Sequence, residues 1–297
     1  MELRHIRYFL AVAEEGNFTR AAARLGIGQP PLSQQIRDLE EEVGARLFHR
    51  VPHGAELTEA GSAFLAGVRS MPDQAASATR SARRAARGET GALRLGFTGS
   101  ATLHPIVPGS IRAFRRAYPE VELSLVESNT VDLANGLRDG SLDIAFLRRG
   151  AVDKSELHVE PLPDEPMIAA LPTSHRLIAG SDGTGAIRLA DLSEDLFVIT
   201  PRAIGPTFFD ATMAACASVG FTPRLGQAAP QIVSMLALVA AELGVSVVPA
   251  SMRQLMLPGV AYRDIADAAP VARLALAYPR ASRSPLVRNF VAEARRV

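Results

Sequence analysis

Apolar residues recur at helical spacing three times within the first 57 positions. Leu3, Ile6, Leu10 and Ala13, widened by Phe9, form a stripe that Gly16 ends. An alanine-rich stretch over 18–25 closes at Gly26, and Gly28-Gln29-Pro30-Pro31 opens a third helix whose Leu32, Ile36, Leu39 and Val43 make one apolar face before Gly44. Residues 47–50 and 55–57 flank Pro52-His53-Gly54, the pattern of a two-stranded hairpin. The head is therefore expected to be all-α with a wing.

From Thr58, a good N-cap, one long helix is predicted over 58–87. Phe64, Val68, Met71, Ala75, Ala78, Ala82 and Ala85 alternate in steps of four and three, the seam by which two helices pair, so a homodimer is expected. Pro72 interrupts this pattern and predicts a bend, because proline inside a helix forfeits a backbone hydrogen bond. Beyond residue 91, short apolar runs at 93–97, 121–127, 142–147, 167–171, 196–199, 245–248 and 272–277 alternate with amphipathic stretches. That alternation predicts two α/β lobes with largely parallel sheets. The expected division is 1–57 for the head, 58–90 for the linker helix and hinge, and 91–297 for the lobes. Lobe I takes about 91–162 and 268–297, and lobe II about 163–267.

Composition adds limits more than direction. The 297 residues carry 32 basic and 31 acidic side chains, so whole-chain charge points to no nucleic-acid or membrane partner. A lone Cys216 excludes an internal disulfide, and no apolar run reaches the roughly 20 residues a membrane span needs, so a cytoplasmic protein is expected. The six histidines form no pair at metal-ligand spacing, and neither a Walker-type loop nor a G-x-S-x-G elbow is present. No enzyme activity, cofactor or metal is expected.

With the apolar face of the third helix inward, about 100° per residue turns Pro30, Ser33, Gln34 and Arg37 outward together. Gln34 and Ser33 match base edges in a major groove, and Arg37 suits guanine or phosphate. The acidic run Glu40-Glu41-Glu42 lies toward the far end and would stay outside a groove entered by the helix N-terminus. On pattern alone, a three-helix bundle that contacts another protein fits as well.

The run LRHIRYFLAVAEEGNFTRAAARLGIGQPPLSQQIRDLEEEVGARLFHR, followed by LTEAG, resembles the N-terminal domain of LysR-type transcriptional regulators. The remaining chain has the family's organisation, close to the subgroup that controls degradation of aromatic compounds. The resemblance implies a mixed fold: a winged helix-turn-helix, a long linker helix and a two-lobed α/β effector domain like periplasmic binding proteins. It implies double-stranded DNA, a small-molecule effector, RNA polymerase and further copies of the chain, up to a homotetramer, as partners. Asn17 and Thr19 before the second helix, Gln29, Pro30 and Pro31 opening the third, and Arg50 and His53 on the wing join Ser33, Gln34 and Arg37 as implied DNA contacts, with Phe18 in the core.

In the effector region, Thr98-Gly99-Ser100 and Ser128-Asn129-Thr130 each end an apolar run and open a helix, an arrangement of amides and hydroxyls that holds anions. Thr200-Pro201-Arg202 and the helix-opening Gly205-Pro206-Thr207-Phe208-Phe209 face them from the other lobe. The family positions matching Ser100, Thr130, Arg148, Phe208, Gln231 and Ile232 imply effector contacts. The expected ligand is a small organic or aromatic-derived carboxylate, held by Arg148 in a bidentate contact. The alternative is a small-molecule-binding module without a DNA-regulatory role.

Overall fold

A computed structural model describes residues 1–52, 54–150, 155–178 and 185–297. The chain forms two compact units, Met1–Arg84 and Ala85–Val297.

In the first unit, α1 (Leu3–Glu15) buries Ile6, Phe9 and Val12, and α2 (Phe18–Leu25) buries Ala21 and Ala22. Asn17 caps α2, its Oδ1 accepting from the amides of Thr19 at 2.9 Å and Arg20 at 3.1 Å. In α3 (Gln29–Val43), Pro30 and Pro31 occupy the first turn, where a missing N–H leaves no helical acceptor unsatisfied. The wing is β1 (Phe48–Val51) paired antiparallel with β2 (Gly54–Leu57). It is sewn to α1 by the Ala55 amide, which donates to the Gly16 carbonyl at 2.8 Å. A Cβ on Gly54 would stand 2.1 Å from that carbonyl, so glycine is required for the approach.

Two expectations for α3 change. Val43 is 39% exposed, while Glu40 is 8% exposed. Its Oε1 accepts from the amides of Leu47 at 2.8 Å and Phe48 at 3.1 Å, and Arg46 reaches its Oε2 at 3.3 Å. The carboxylate thus satisfies backbone donors where the chain leaves α3 for the wing, and only Glu41 and Glu42 remain outside.

The long helix divides into α4 (Glu59–Val68) and α5 (Met71–Ala86), with turn residues at Arg69 and Ser70. A proline ring collides with the carbonyl four residues earlier, here that of Val68, and the helix ends at Val68. Pro72 instead sits in the first turn of α5, so the chain breaks where a bend was expected. The pairing seam divides with it. Phe64 packs edge-on to Phe9 with ring centroids 5.0 Å apart and Val68 is buried, both in the head core, whereas α5 buries nothing within this chain.

The second unit contains two sheet systems. One is five-stranded, ordered β4-β3-β5-β13-β6: β3 (Gly91–Phe97) runs parallel to β4 (Val121–Glu127) and β5 (Ile144–Arg148). In the same sheet β13 (Leu274–Pro279) returns antiparallel between β5 and β6 (Leu157–Pro161). Helices α6 (Ile106–Ala117) and α10 (Pro285–Ala294) close one core through Phe114, Phe146 and Phe290, and α7 (Thr130–Arg138) covers another face.

In the other system, β7 (Glu165–Pro172) is flanked antiparallel by β10 (Ser246–Pro249) and β11 (Val260–Arg263), and its start pairs with β12 (Val271–Ala272). Beside them β8 (Leu196–Ile199) pairs parallel with β9 (Arg224–Ala228), and α8 (Pro206–Ser218) and α9 (Ile232–Ala240) pack on this side. The sheets are mixed rather than largely parallel, because burial on both faces produces the same continuous apolar run whichever way a strand runs. Val271 and Ala272 pair in the second sheet, so the chain returns to the first only after 272 and not near 268.

Replacing Glu40 with alanine leaves two buried amides without an acceptor and should lower head stability by about 2–4 kcal/mol. Glu41→Ala, on the exposed side, should stay within about 0.5 kcal/mol of the parent. Thermal unfolding of both variants checks this; equal midpoints would show that the Glu40 carboxylate does not hold the wing.

Candidate functional site

The exposed edge of α3 is made by Pro30, Pro31, Gln34 and Arg37. Ser33 does not belong to it. The residue is 5% exposed and its Oγ receives the Gln29 Nε2 hydrogen bond at 2.7 Å. Gln29, Ser33, Ile36 and Glu40 follow at spacings of four, three and four, one row of the helix, and this row turns inward beside Leu32 and Leu39. The apolar stripe is thus wider than its large residues mark, and a small hydroxyl fits within it. Gln29 is half-buried.

Gln34 donates from Nε2 to Asp38 Oδ1 at 2.8 Å, which leaves its carbonyl outward. Arg37 is exposed with no ion-pair partner among the described residues. On the wing, the Arg50 guanidinium lies over the Phe18 ring, 5.2 Å from its centroid, while Phe18 packs edge-on to Phe48 at 5.9 Å as a core residue. The Asn17 carbonyl is committed to capping α2, and Thr19 is exposed beside it. His53 lies outside the described residues.

In the second unit a cleft of about 720 Å³ opens between the two sheet systems. Thr98, Gly99, Ser100, Ser128, Thr130 and Arg148 line it from the ends of β3, β4 and β5. Thr200, Phe208, Gln231 and Ile232 line it from β8 and the starts of α8 and α9. These are the carboxyl ends of parallel strands and the amino ends of helices, where backbone N–H groups are free to meet a ligand.

Two expected members fall outside. The Pro201 carbonyl accepts the amides of Ile204 and Gly205, both at 2.9 Å, which makes it part of the turn into α8. Arg202 is exposed and bound to Asp210 through Nε at 2.7 Å and Nη2 at 3.1 Å. A side chain projecting with the turn meets its own helix before it meets the cleft. Thr207, in the first turn of α8, lines the cleft as its place in the helix-opening run led one to expect. Glu127, the last residue of β4, and the apolar Leu103, Met252 and Leu255 also line it, and no sequence signal marked them; Glu127 carried none beyond its place before Ser128.

Arg148 organises the interior. Its side chain is 3% exposed. Nε donates to Ser100 Oγ at 3.1 Å, and Nη2 donates to the Ser100 carbonyl and to Glu165 Oε1, the latter at 3.3 Å. Cζ lies 4.9 Å from the centroid of the Phe208 ring. Glu165 uses its other oxygen to accept the Ser251 amide at 3.1 Å. Burial pulls the Arg148 pKa down to about 10 although Glu165 opposes the shift, so the group stays cationic at neutral pH. Burial likewise lowers the pKa of His104, with Glu165 raising it and Arg148 lowering it, which keeps that imidazole neutral.

One nitrogen is left over: among the described residues, Nη1 of Arg148 is buried without a hydrogen-bond partner, as is Oγ1 of Thr207 across the cleft. The bidentate carboxylate contact expected for Arg148 is therefore not available, because Nε and Nη2 are already engaged; Nη1 alone is open. Cys216, by contrast, is fully buried in apolar surroundings that push its thiol up to about 11, which suits packing and not nucleophilic chemistry. No group of three or more metal-binding side chains occurs among the described residues. No helix among them is long and apolar enough to cross a membrane.

Residues 3–62 match the family described as "Bacterial regulatory helix-turn-helix protein, lysR family", and residues 86–297 match "LysR substrate binding domain". The chain is 38% identical to the HTH-type transcriptional regulator BudR of Raoultella terrigena, over 98% of this chain and 99% of that one. It is 39% identical to the uncharacterized HTH-type regulator YnfL of Escherichia coli K12, over 98% and 96%. The crystal structure of full-length CbnR complexed with its target DNA superposes with a TM-score of 0.84 at 29% identity, covering 100% of this chain and 99% of that one. The chain belongs to the LysR family: it is a DNA-binding transcriptional regulator with an effector-binding domain, and not an enzyme.

Proposed function

We propose that this regulator reads a promoter duplex with the Pro30, Pro31, Gln34 and Arg37 edge of α3, and that a small carboxylate in the cleft modulates that engagement. The carboxylate reading rests on Arg148 Nη1, a cationic donor buried in the cleft wall with no partner among the described residues. A buried charged group left unsatisfied is costly, and an anion relieves the cost with a charge-assisted hydrogen bond worth about 1.5–3 kcal/mol. Thr207 Oγ1 offers a second donor from the opposite wall. Gln29, Asn17 and Ser33 act behind the DNA-reading edge, as cap and packing. Arg50 and Thr19 serve phosphates at its flanks, as His53 does on the wing.

Self-association fits α5, whose Met71, Ala75, Ala78, Ala82 and Ala85 repeat at heptad spacing while no residue of the helix is buried. A dimer through this helix, and a dimer of dimers, would set paired heads on neighbouring half-sites in the cytoplasm, where promoter and RNA polymerase meet. The complex of CbnR with its target DNA supports the DNA side of this reading.

Titration calorimetry of the full chain with benzoate and 3-phenylpropanoate, and with their amides, tests the effector. The acids should bind and the amides should not; amides binding as tightly as acids would overturn the carboxylate reading. Thr207→Val removes a hydroxyl that has no partner among the described residues, so the unfolding midpoint should hold while carboxylate affinity falls about threefold to tenfold.

On DNA, Gln34→Ala should reduce discrimination between operator and random duplex by about 1–3 kcal/mol. Arg50→Ala should weaken both and lower the salt slope by about one. Binding assays across a salt series separate these, and a uniform loss for Gln34→Ala on every sequence would argue against base reading by that side chain.

A further inference from the structure

Among the described residues, Glu127 and Arg148 are the only charged ones lining the cleft. Arg148 is already matched by Glu165, which sits behind it. Glu127 is matched by nothing: its carboxylate is exposed at the end of β4 and has no partner among the described residues. Before any ligand binds, the described lining therefore holds one uncompensated negative charge at its rim and one unpartnered cationic nitrogen in its depth.

The two groups stand on either side of the same turn. Glu127 Oε1 lies 2.5 Å from where a Cβ on Gly99 would be, so the absent side chain of Gly99 is what lets the carboxylate lie against the turn. The next residue, Ser100, receives Arg148 Nε at 3.1 Å. The open donor and the open acceptor thus bracket adjacent residues of one turn, within reach of a single small molecule. A carboxylate hydrogen-bonded to Nη1, with a donor group on its own α-carbon hydrogen-bonded to Glu127, spans about 8 Å by ordinary bond lengths.

Resting on the carboxylate reading above, we infer that the effector is a monocarboxylate with a hydroxyl or ammonium group beside the carboxylate, and that Glu127 selects it. A plain monocarboxylate leaves Glu127 without a donor. A dicarboxylate brings a second negative charge into a cleft whose lining offers no second cation among the described residues, with Glu127 at its rim. A 2-hydroxy or 2-amino acid satisfies both groups, and the apolar lining from Leu103, Phe208, Ile232 and Met252 receives the remainder of the molecule.

The test is calorimetry of the full-length protein with two matched sets, in which one hydrogen on the α-carbon is exchanged. The first is butanoate, 2-hydroxybutanoate, 2-aminobutanoate and ethylmalonate; the second is 3-phenylpropanoate, 3-phenyllactate, phenylalanine and benzylmalonate. Within a set, the hydroxy or amino acid should bind at least about tenfold more tightly than the plain acid, and the malonate at least about tenfold more weakly. Glu127→Ala, at an exposed position, should bring the members of a set to within about threefold of one another. If the acids bind but the malonate is the tightest, or if the ranking survives Glu127→Ala, the selection by Glu127 is wrong and the carboxylate reading stands. If no member of either set binds the parent protein, the carboxylate reading falls and this inference with it.

Discussion

A guanidinium withdrawn from water at the end of β5 is the constraint around which the second unit is arranged. Burying a charge costs several kcal/mol unless partners replace its hydration. Arg148 obtains them from three other segments: the Gly99–Ala101 turn through Ser100, the first residue of β7 through Glu165, and the first turn of α8 through the Phe208 ring. Glu165 in turn engages the 3-10 turn Ala250–Gln254 through the Ser251 amide. One buried pair thus joins elements of both sheet systems at the place where the chain crosses between them. The Nη1 amino group that the pair does not use gives the cleft its chemical character.

Much of this was legible in the sequence, for a physical reason. A parallel strand that ends at a ligand site must turn directly into a helix, and hydroxyl or amide side chains that cap the helix stand at that junction. Thr98-Gly99-Ser100 and Ser128-Asn129-Thr130 therefore announced themselves, and both line the cleft. Strand direction did not. Ile144 and Leu274 open strands that are buried along most of their length, yet those strands run antiparallel to one another, since an apolar run records burial and not direction. The strands that escaped notice, β6, β9 and β11, lie at the margins of their sheets, and β9 is exposed at every position, so no apolar run marks it.

In the head, helical arithmetic was correct about direction and wrong about width. A helix set between two others buries more than a narrow stripe, and Ser33 and Glu40 occupy the added width because one is small and the other meets two amides. What remains outward is economical. Among the described residues Arg37 has no ion-pair partner, and the Gln34 side chain is held by Asp38 through its Nε2. Asp38 limits the rotamers Gln34 would otherwise lose on meeting a base, a form of preorganisation that offsets part of the ordering cost. In α3 itself, Glu40 is engaged inside the fold, and Glu41 and Glu42 lie toward the far end, away from the edge that Pro30 begins.

The same geometry bounds what an effector can do. A ligand shifts a conformational equilibrium only by the difference between its affinities for the two states, typically about 1–3 kcal/mol. A molecule held on one wall has no such difference, because its contacts travel with that wall. Arg148 and Thr207 belong to opposite walls and each keeps one polar atom unsatisfied. A ligand that satisfies both must feel the distance between β5 and α8, so its affinity depends on how far the cleft is closed. The pair Arg148–Glu165 exists without it, so the ligand does not have to assemble the junction. It has only to favour one spacing of the walls, and a contact worth one charge-assisted hydrogen bond is of the size this requires.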